Sequence, residues 1–161
     1  MRFSAMSKVG QAGRSGEGVR SDCQVTCELR DEGGIEINLT SKVFDMFGKK
    51  TIEQCNKVLA DLAVAHARLE IKDAGALPWT IAARIEAAVK AADPTIMKES
   101  LVDAAQGFDL PTAKNRLRRS RLYLPGNEPK FMINAGLYHA DGLILDLEDS
   151  VAPEHKFAAR Y

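Results

Sequence analysis

Residues 23–39 read CQVTCELRDEGGIEINL, and two runs within them, 23–29 and 35–39, alternate apolar with polar residues. A period of two is the pattern of a β-strand that buries one face. The connection at 30–34 ends in two glycines, which adopt positive φ readily, so the two runs are predicted to pair as a β-hairpin. The N-terminal half is therefore expected to be built on a small sheet.

A helical segment follows the predicted hairpin. Residues 43–47 present a short apolar face that ends at Gly48. Residues 51–54 have the spacing of a capping box, in which a hydroxyl and a glutamine satisfy free amides at the start of a helix. Apolar residues then continue at helical spacing as far as Leu62, so a helix with one interruption near Gly48 is predicted.

A strand and a second helix complete the predicted domain. Residues 67–72 alternate again, and Pro78 follows a turn and can occupy the first position of a helix. That helix is expected to end at Asp93, because a proline comes next. Residues 21–92 are thus predicted to form a two-layer α+β domain in the order β-β-α-β-α, with the helices over a small antiparallel sheet.

The segments on either side of this domain lack a regular apolar pattern. Residues 1–20 are rich in glycine and serine and are predicted to be a flexible N-terminal arm. Residues 93–115 contain two prolines and have mixed polarity. This composition predicts a linker, with only a weak helical patch at 96–105.

The last part of the chain, residues 116–161, has a different texture. An apolar run at 121–124, a helical period at 128–138 and a continuous apolar run at 142–147 predict a strand, a helix and a second strand. The second strand is expected to be parallel to the first and buried on both faces. One βαβ unit cannot bury its own faces, so this part is expected to be a truncated portion of a larger domain.

Charge and composition exclude several classes of function. The 161 residues include 22 basic and 22 acidic side chains, so bulk charge favours no nucleic-acid partner, and the basic run at 114–121 lacks interleaved aromatic residues. No apolar run is long enough for a membrane span or a signal peptide, which predicts a cytoplasmic protein with no membrane partner. Three cysteines without CxxC spacing predict buried thiols and neither a disulfide framework nor a zinc site.

Two places in the sequence could carry chemistry. Ser21 stands between the arm and the first strand, where a hydroxyl would be open to covalent modification; a serine that simply starts a turn is the alternative. Asp146, Glu148 and Asp149 follow the last apolar strand, at the end where parallel α/β sheets place their sites, and clustered carboxylates there suit Mg²⁺. A helix N-terminus rich in acidic residues explains the same pattern equally well.

The C-terminal motifs resemble a known family. Residues 118–127 (RRSRLYLPGN) and 142–151 (GLILDLEDSV) are similar to the start of the citrate lyase β subunits, in the HpcH/HpaI aldolase family. The resemblance implies a fragment of a TIM (β/α)8 barrel that performs Mg²⁺-assisted carbon–carbon cleavage when complete. It also implies that Asp146, Glu148 and Asp149 line the wall of the lyase site. The metal carboxylates of the family lie further along its sequence, so no metal ligand and no independent lyase activity are expected here.

The N-terminal domain resembles a second family, the citrate lyase acyl carrier proteins. The evidence is the Ser-Asp before the first strand, the segment 72–77 (KDAGAL) and the segment 82–87 (AARIEA). The resemblance implies that a serine carries a phosphoribosyl-dephospho-coenzyme A arm, and by position this serine is Ser21, with Arg20 able to pair with the arm's phosphates. The family usually has an acid before the serine and a small residue between it and Asp, a context that differs here, so Ser15 is the reserve candidate.

Together the two resemblances predict an acyl carrier fused to a lyase-family fragment. The expected partners are the transferase (α) and lyase (β) subunits of a citrate lyase-type complex and the transferase that attaches the arm. The expected activity is the carriage of acetyl and citryl groups during cleavage of citrate to oxaloacetate and acetate. The alternative is a carrier, or an unmodified docking module, fused to an HpcH/HpaI lyase that acts on malyl or citramalyl thioesters.

Overall fold

The computed structural model describes residues 8–101 and 112–161. Its strands and helices are β1 (Lys8–Ala12), β2 (Cys23–Leu29), β3 (Ile35–Ser41), α1 (Phe44–Asp61), β4 (Ala67–Asp73), α2 (Pro78–Ala92), β5 (Arg121–Pro125), α3 (Pro129–Asn134) and β6 (Gly142–Asp146). Short 3-10 turns follow at Ala135–Tyr138, Pro153–His155 and Ala158–Arg160. The predicted α+β class and the order β-β-α-β-α are confirmed, with one additional strand at the start.

The pairing of the first sheet differs from the predicted hairpin. Its strand order is β1-β2-β4-β3, so β4 lies between the two strands that were expected to pair. β2 runs antiparallel to β4, whereas β3 runs parallel to it, and the sheet is therefore mixed and not antiparallel. The physical reason is burial: in β4, Leu69 and Ile71 are almost completely buried, while every residue of β3 is at least partly exposed. The most apolar strand takes the centre and the half-exposed strand takes the edge.

The prediction of a flexible arm over residues 1–20 is wrong for Lys8–Ala12, which form the edge strand β1. This strand pairs antiparallel with β2, and α2 crosses it at Gly10. A Cβ atom at Gly10 would lie 2.1 Å from the Ala88 carbonyl oxygen, so only glycine permits this close approach. The local sequence pattern did not predict β1, because residues that are distant in sequence, on β2 and α2, hold this strand in place.

The first helix is continuous, in contrast to the predicted interruption. α1 runs through Gly48, and Thr51 is buried inside it instead of capping a new helix. Gly48 is sheltered by the Phe44 ring, which a Cβ at this position would meet at 2.7 Å. A glycine costs a helix about 1 kcal/mol, which the packing of this 18-residue helix on the sheet outweighs.

The core of the N-terminal domain lies between the sheet and the two helices. Both helices pack on one face of the sheet, and the opposite face is polar, with ion pairs such as Arg68–Glu70 at 2.8 Å and Arg30–Glu36 at 3.0 Å. The three cysteines are free and buried, as predicted. Burial raises the pKa of the thiols of Cys27 and Cys55 to about 12, so they are neutral packing groups.

The C-terminal region has the predicted strand–helix–strand order. β5 and β6 pair in parallel, and the helix is shorter than predicted, because it tightens into a 3-10 turn after Asn134. The expected burial of β6 on both faces is wrong: Leu143 and Leu145 are 51% and 53% exposed. Within residues 112–161 no second layer covers them. Part of the predicted linker and of its helical patch, residues 102–111, lies outside the described residues, and 96–101 form no helix.

None of the helices in the described ranges is both long enough and apolar enough to cross a membrane.

Candidate functional site

Ser21 lies two residues before the first residue of β2, at the end of the sheet where β4 finishes. Its φ of 57° is in the left-handed region, which serine adopts only when its surroundings impose it. The Ser21 amide donates to the Ala74 carbonyl oxygen at 3.2 Å, and the Ala74 amide donates to the Asp22 carbonyl oxygen at 3.0 Å. This reciprocal pair fixes the turn, so the backbone at the half-buried Ser21 has one defined conformation.

Asp22 is completely buried and anchors the same turn. Its Oδ1 accepts hydrogen bonds from the Cys23 amide and from Arg84 Nε, both at 2.9 Å, and Arg84 Nη2 donates to Oδ2 at 3.2 Å. Two bonds from one guanidinium to one carboxylate give strong directional support. Arg84 therefore holds the loop that contains Ser21 and Asp22 against helix α2.

Arg84 also joins the two regions of the chain. Its Nη1 donates to the Ala158 carbonyl oxygen at 2.9 Å, and its Nη2 donates to the Asn127 carbonyl oxygen at 3.2 Å. The carrier and the C-terminal region thus meet at one buried guanidinium.

Gly13 shapes the approach to Ser21 from β1. Its φ is +78°, and a Cβ there would lie 1.9 Å from the Cys23 carbonyl oxygen, so no larger residue fits. The turn directs Arg14 toward the C-terminal region, where its Nη1 lies 2.7 Å from Glu128 Oε1. Within the segment that was predicted to be a flexible arm, Lys8–Ala12 thus pair with β2, and Arg14 binds Glu128 of the C-terminal region.

The two candidate serines differ in their surroundings. The Ser15 hydroxyl donates to Gln24 Oε1 at 2.6 Å, so that group is already engaged. Ser21 and the exposed Arg20 instead line a groove of about 660 Å³, whose opposite wall comes from β5, α3 and the turn that follows. The geometry brings Arg20 and Ser21 together at an open cavity and leaves Ser15 apart from it.

The three acidic residues predicted for the wall of the lyase site lie at the end of β6 and directly after it. Asp146 accepts hydrogen bonds from the amides of Glu148 and Ser150 at 2.8 and 3.0 Å, which stabilises the following turn. Bonds from Ser150, followed by the one from the Glu148 amide, hold the pKa of Asp146 below its ordinary value. Glu148 and Asp149 are exposed, and the described residues bring no three potential ligand side chains together.

Arg84 is the functional residue that the sequence reasoning missed. The segment 82–87 carries the family resemblance, and it also places two charged residues, Arg84 and Glu86, among the buried and mostly apolar side chains of α2. A charged residue on a buried face requires a buried partner, and this signal could have pointed to Asp22. Glu86 is likewise buried, where it accepts the Ser100 amide at 2.8 Å.

Two families match successive parts of the chain. The family described as Malonate decarboxylase delta subunit (MdcD), an acyl carrier family, matches residues 11–92, and HpcH/HpaI aldolase/citrate lyase matches residues 119–161. No solved structure matches.

The relatives follow the same division. The citrate lyase acyl carrier protein of Clostridium perfringens is 48% identical over 69 residues, which cover 43% of this chain and 68% of that protein. The corresponding protein of Fusobacterium nucleatum is 36% identical, with 73% of its length covered by 43% of this chain. The citrate lyase subunit beta of Leuconostoc mesenteroides is 46% identical over 46 residues, which cover 29% of this chain and only 15% of that subunit.

The matches define a small acyl carrier domain followed by a segment that is similar to a lyase family. The chain belongs to the acyl carrier family of the malonate decarboxylase delta and citrate lyase carrier subunits, and its residues 119–161 are similar to HpcH/HpaI aldolase/citrate lyase proteins.

Proposed function

We propose that the chain is the acyl-carrying component of a citrate lyase-type complex, with Ser21 as the point of covalent attachment. The observation that carries the proposal is the rigid presentation of Ser21 at the edge of an open groove, with the exposed guanidinium of Arg20 beside it. Relatives named as citrate lyase carrier and β subunits supply the class of complex.

The residues around Ser21 fit an anionic phosphodiester. Arg20 supplies a cation for the phosphate oxygens, and the adjoining groove leaves room for a bulky substituent. When attached, a phosphoribosyl-dephospho-coenzyme A arm supplies a thiol that holds acyl groups between a transferase subunit, which exchanges acetate for citrate, and a lyase subunit, which releases oxaloacetate. The chain's own residues fix the attachment point, through the Ala74 backbone bonds and the Asp22–Arg84 pair.

Fusion to a lyase-family segment has a physical advantage for such a carrier. A tethered carrier meets its lyase partner at a high effective concentration, without a separate encounter. The C-terminal region is proposed to serve this docking. The carboxylates Asp146, Glu148 and Asp149 remain proposed parts of the wall of the lyase site, with no step assigned to them.

Intact-mass measurement tests the attachment. The full chain is co-expressed with the prosthetic-group transferase of a citrate lyase system, and a mass increment equal to the phosphoribosyl-dephospho-coenzyme A group is expected. Ser21→Ala is expected to abolish the increment and Ser15→Ala to retain it, with unchanged thermal unfolding in both variants. An increment that survives Ser21→Ala and disappears in Ser15→Ala would move the site to Ser15, and its absence from the unaltered chain would overturn the carrier function.

A second function is favoured by one observation: Arg84 fixes the carrier directly to Asn127 and Ala158. A domain held in this way could act as an unmodified docking module for a lyase that cleaves malyl or citramalyl thioesters. In that case Ser21→Ala would assemble with its lyase and transferase partners and support full activity. Loss of activity with retained assembly would instead favour the arm.

A further inference from the structure

The groove beside Ser21 is built by both regions of the chain. Arg20 and Ser21 contribute the carrier side, and residues between 122 and 138 contribute the other side. Its volume of about 660 Å³ is within the range of small-molecule sites in proteins. Any group attached to the Ser21 oxygen would begin at the wall of this groove.

Three aromatic side chains converge on the groove in a chain that has few of them. Tyr123, Phe131 and Tyr138 all line it and are 65%, 43% and 70% exposed, although aromatic residues make up only 6% of the sequence. Exposed rings in a cleft are available for stacking, and the flat face of a nucleic-acid base stacks favourably on an aromatic ring. The groove is therefore suited to a flat heteroaromatic ligand.

The charges around the groove favour phosphate. Arg20 and Lys130 line it, and Lys130 Nζ lies 4.8 Å from the centre of the Phe131 ring. The carboxylate nearest to Lys130 is Glu128, at 3.2 Å, and this carboxylate also binds Arg14 at 2.7 Å. Two cations, Arg14 and Lys130, thus share this one carboxylate, and Arg20 adds a third positive charge at the groove, which leaves an excess of positive charge for an anionic ligand.

We propose that this groove binds the adenine and pyrophosphate portion of a dephospho-coenzyme A-type group, with the base on the aromatic rings and the phosphates between Arg20 and Lys130. For a covalently attached ligand the proposal rests on the function proposed for Ser21. The arm then has a resting position along its own chain, and it must leave this position to reach a partner active site.

Binding of free 3′-dephospho-coenzyme A to the unmodified full chain tests the groove without activity. Calorimetry is expected to show saturable binding, whereas pantetheine, which lacks the nucleotide, is expected not to bind. Tyr123→Ala is expected to weaken binding about ten-fold by loss of stacking. Lys130→Ala is expected to weaken it about ten-fold by loss of a charge-assisted hydrogen bond.

Matched variants on α1 serve as controls. Phe47→Ala removes another exposed ring, and Lys57→Ala removes a lysine that is likewise paired with a carboxylate. Neither is expected to change the affinity. The proposal is overturned if dephospho-coenzyme A binds no better than pantetheine, or if Tyr123→Ala and Lys130→Ala bind it as the unaltered chain does.

The arm-loaded chain separates this proposal from the function of Ser21. A chain that carries the arm is expected not to bind free dephospho-coenzyme A. Its backbone amide NMR resonances from the groove are expected at the chemical shifts found in the complex of the unmodified chain with the free nucleotide. If no arm is attached but the free nucleotide binds with the expected variant effects, the groove stands and the carrier function falls. If the arm is attached and the groove resonances stay unchanged, the groove proposal falls and the carrier function stands.

Discussion

The carrier region and the C-terminal region each contain a sheet, but among the residues that the structure describes the apolar face is covered only in the carrier. In the carrier, Leu69 and Ile85 are fully buried between the sheet and its helices. In the C-terminal region, Leu143 and Leu145 on β6 remain about half exposed. The two regions also differ in how much of their relatives they match. The chain covers 68% of the length of a related carrier protein but 15% of the length of a related β subunit. Stability therefore resides in the carrier, and the C-terminal region depends on contacts with it.

The largest effect is expected from breaking the contact between the two regions. Arg84→Met leaves Asp22 as a buried carboxylate without its main partner and removes the bonds to Asn127 and Ala158. Such a change is expected to lower the free energy of unfolding by about 3–5 kcal/mol. Urea unfolding at neutral pH measures it.

Arg68→Met is the matched control, because Arg68 makes its ion pair with Glu70 on the exposed polar face of the sheet. Its expected cost is at most about 1 kcal/mol. Equal costs for Arg84→Met and Arg68→Met would contradict a structural role for the buried pair.

Identical truncations in the two sheets give the next effect. Leu69→Ala opens a cavity in the carrier core and is expected to cost about 2–5 kcal/mol, whereas Leu145→Ala removes a side chain that is 53% exposed and is expected to cost less than about 1 kcal/mol. Thermal and urea unfolding of the two variants provide the measurement. A similar cost for both would show that a covering layer buries β6 in solution.

A pH effect of the carrier alone is the smallest of the three. Lys8 on β1 donates to Asp93 at the end of α2, with Nζ–Oδ2 at 2.5 Å, and this bond, with those from Thr95, lowers the pKa of Asp93 to about 2. Because the folded pKa is depressed, the stabilisation is present above the ordinary value near 3.8 and is lost as the pH falls toward 2.

Lys8→Met is expected to raise the Asp93 pKa toward 3.8 without reaching it, since Thr95 still donates. Carboxylate NMR titration of both proteins checks this shift. An unchanged pKa in Lys8→Met would mean that β1 does not hold its edge position near Asp93.

Local periodicity predicted most elements correctly but not their pairing. The alternation at 23–29, 35–39 and 67–72 was sufficient for three strands, because it depends only on neighbouring residues. The register places Ile71 between Val25 and Leu39, an arrangement that depends on residues more than thirty positions apart. The short connection with two glycines between β2 and β3 therefore indicated a hairpin. In the structure β4 lies between these two strands, so they do not pair.

In the candidate site, too, the features that depend on neighbouring residues were predictable and those that depend on distant residues were not. The position of Ser21 before the first strand was accessible from sequence, and its attachment chemistry stays a prediction. The Asp22–Arg84 pair was not accessible, since its members are 62 positions apart and come from a loop and a helix. The groove beside Ser21 was equally hidden, because one of its walls comes from the other region of the chain.

The central position of β4 has a consequence for the newly made chain. β3 pairs with no described strand other than β4, and the Ser21 turn is closed by Ala74, directly after β4. Until Ala74 has left the ribosome, the turn at Ser21 lacks the two backbone hydrogen bonds that close it, although the serine is synthesised earlier. An enzyme that recognises the shape of this turn would thus act only after the carrier has folded, and modification would mark chains that have passed this step.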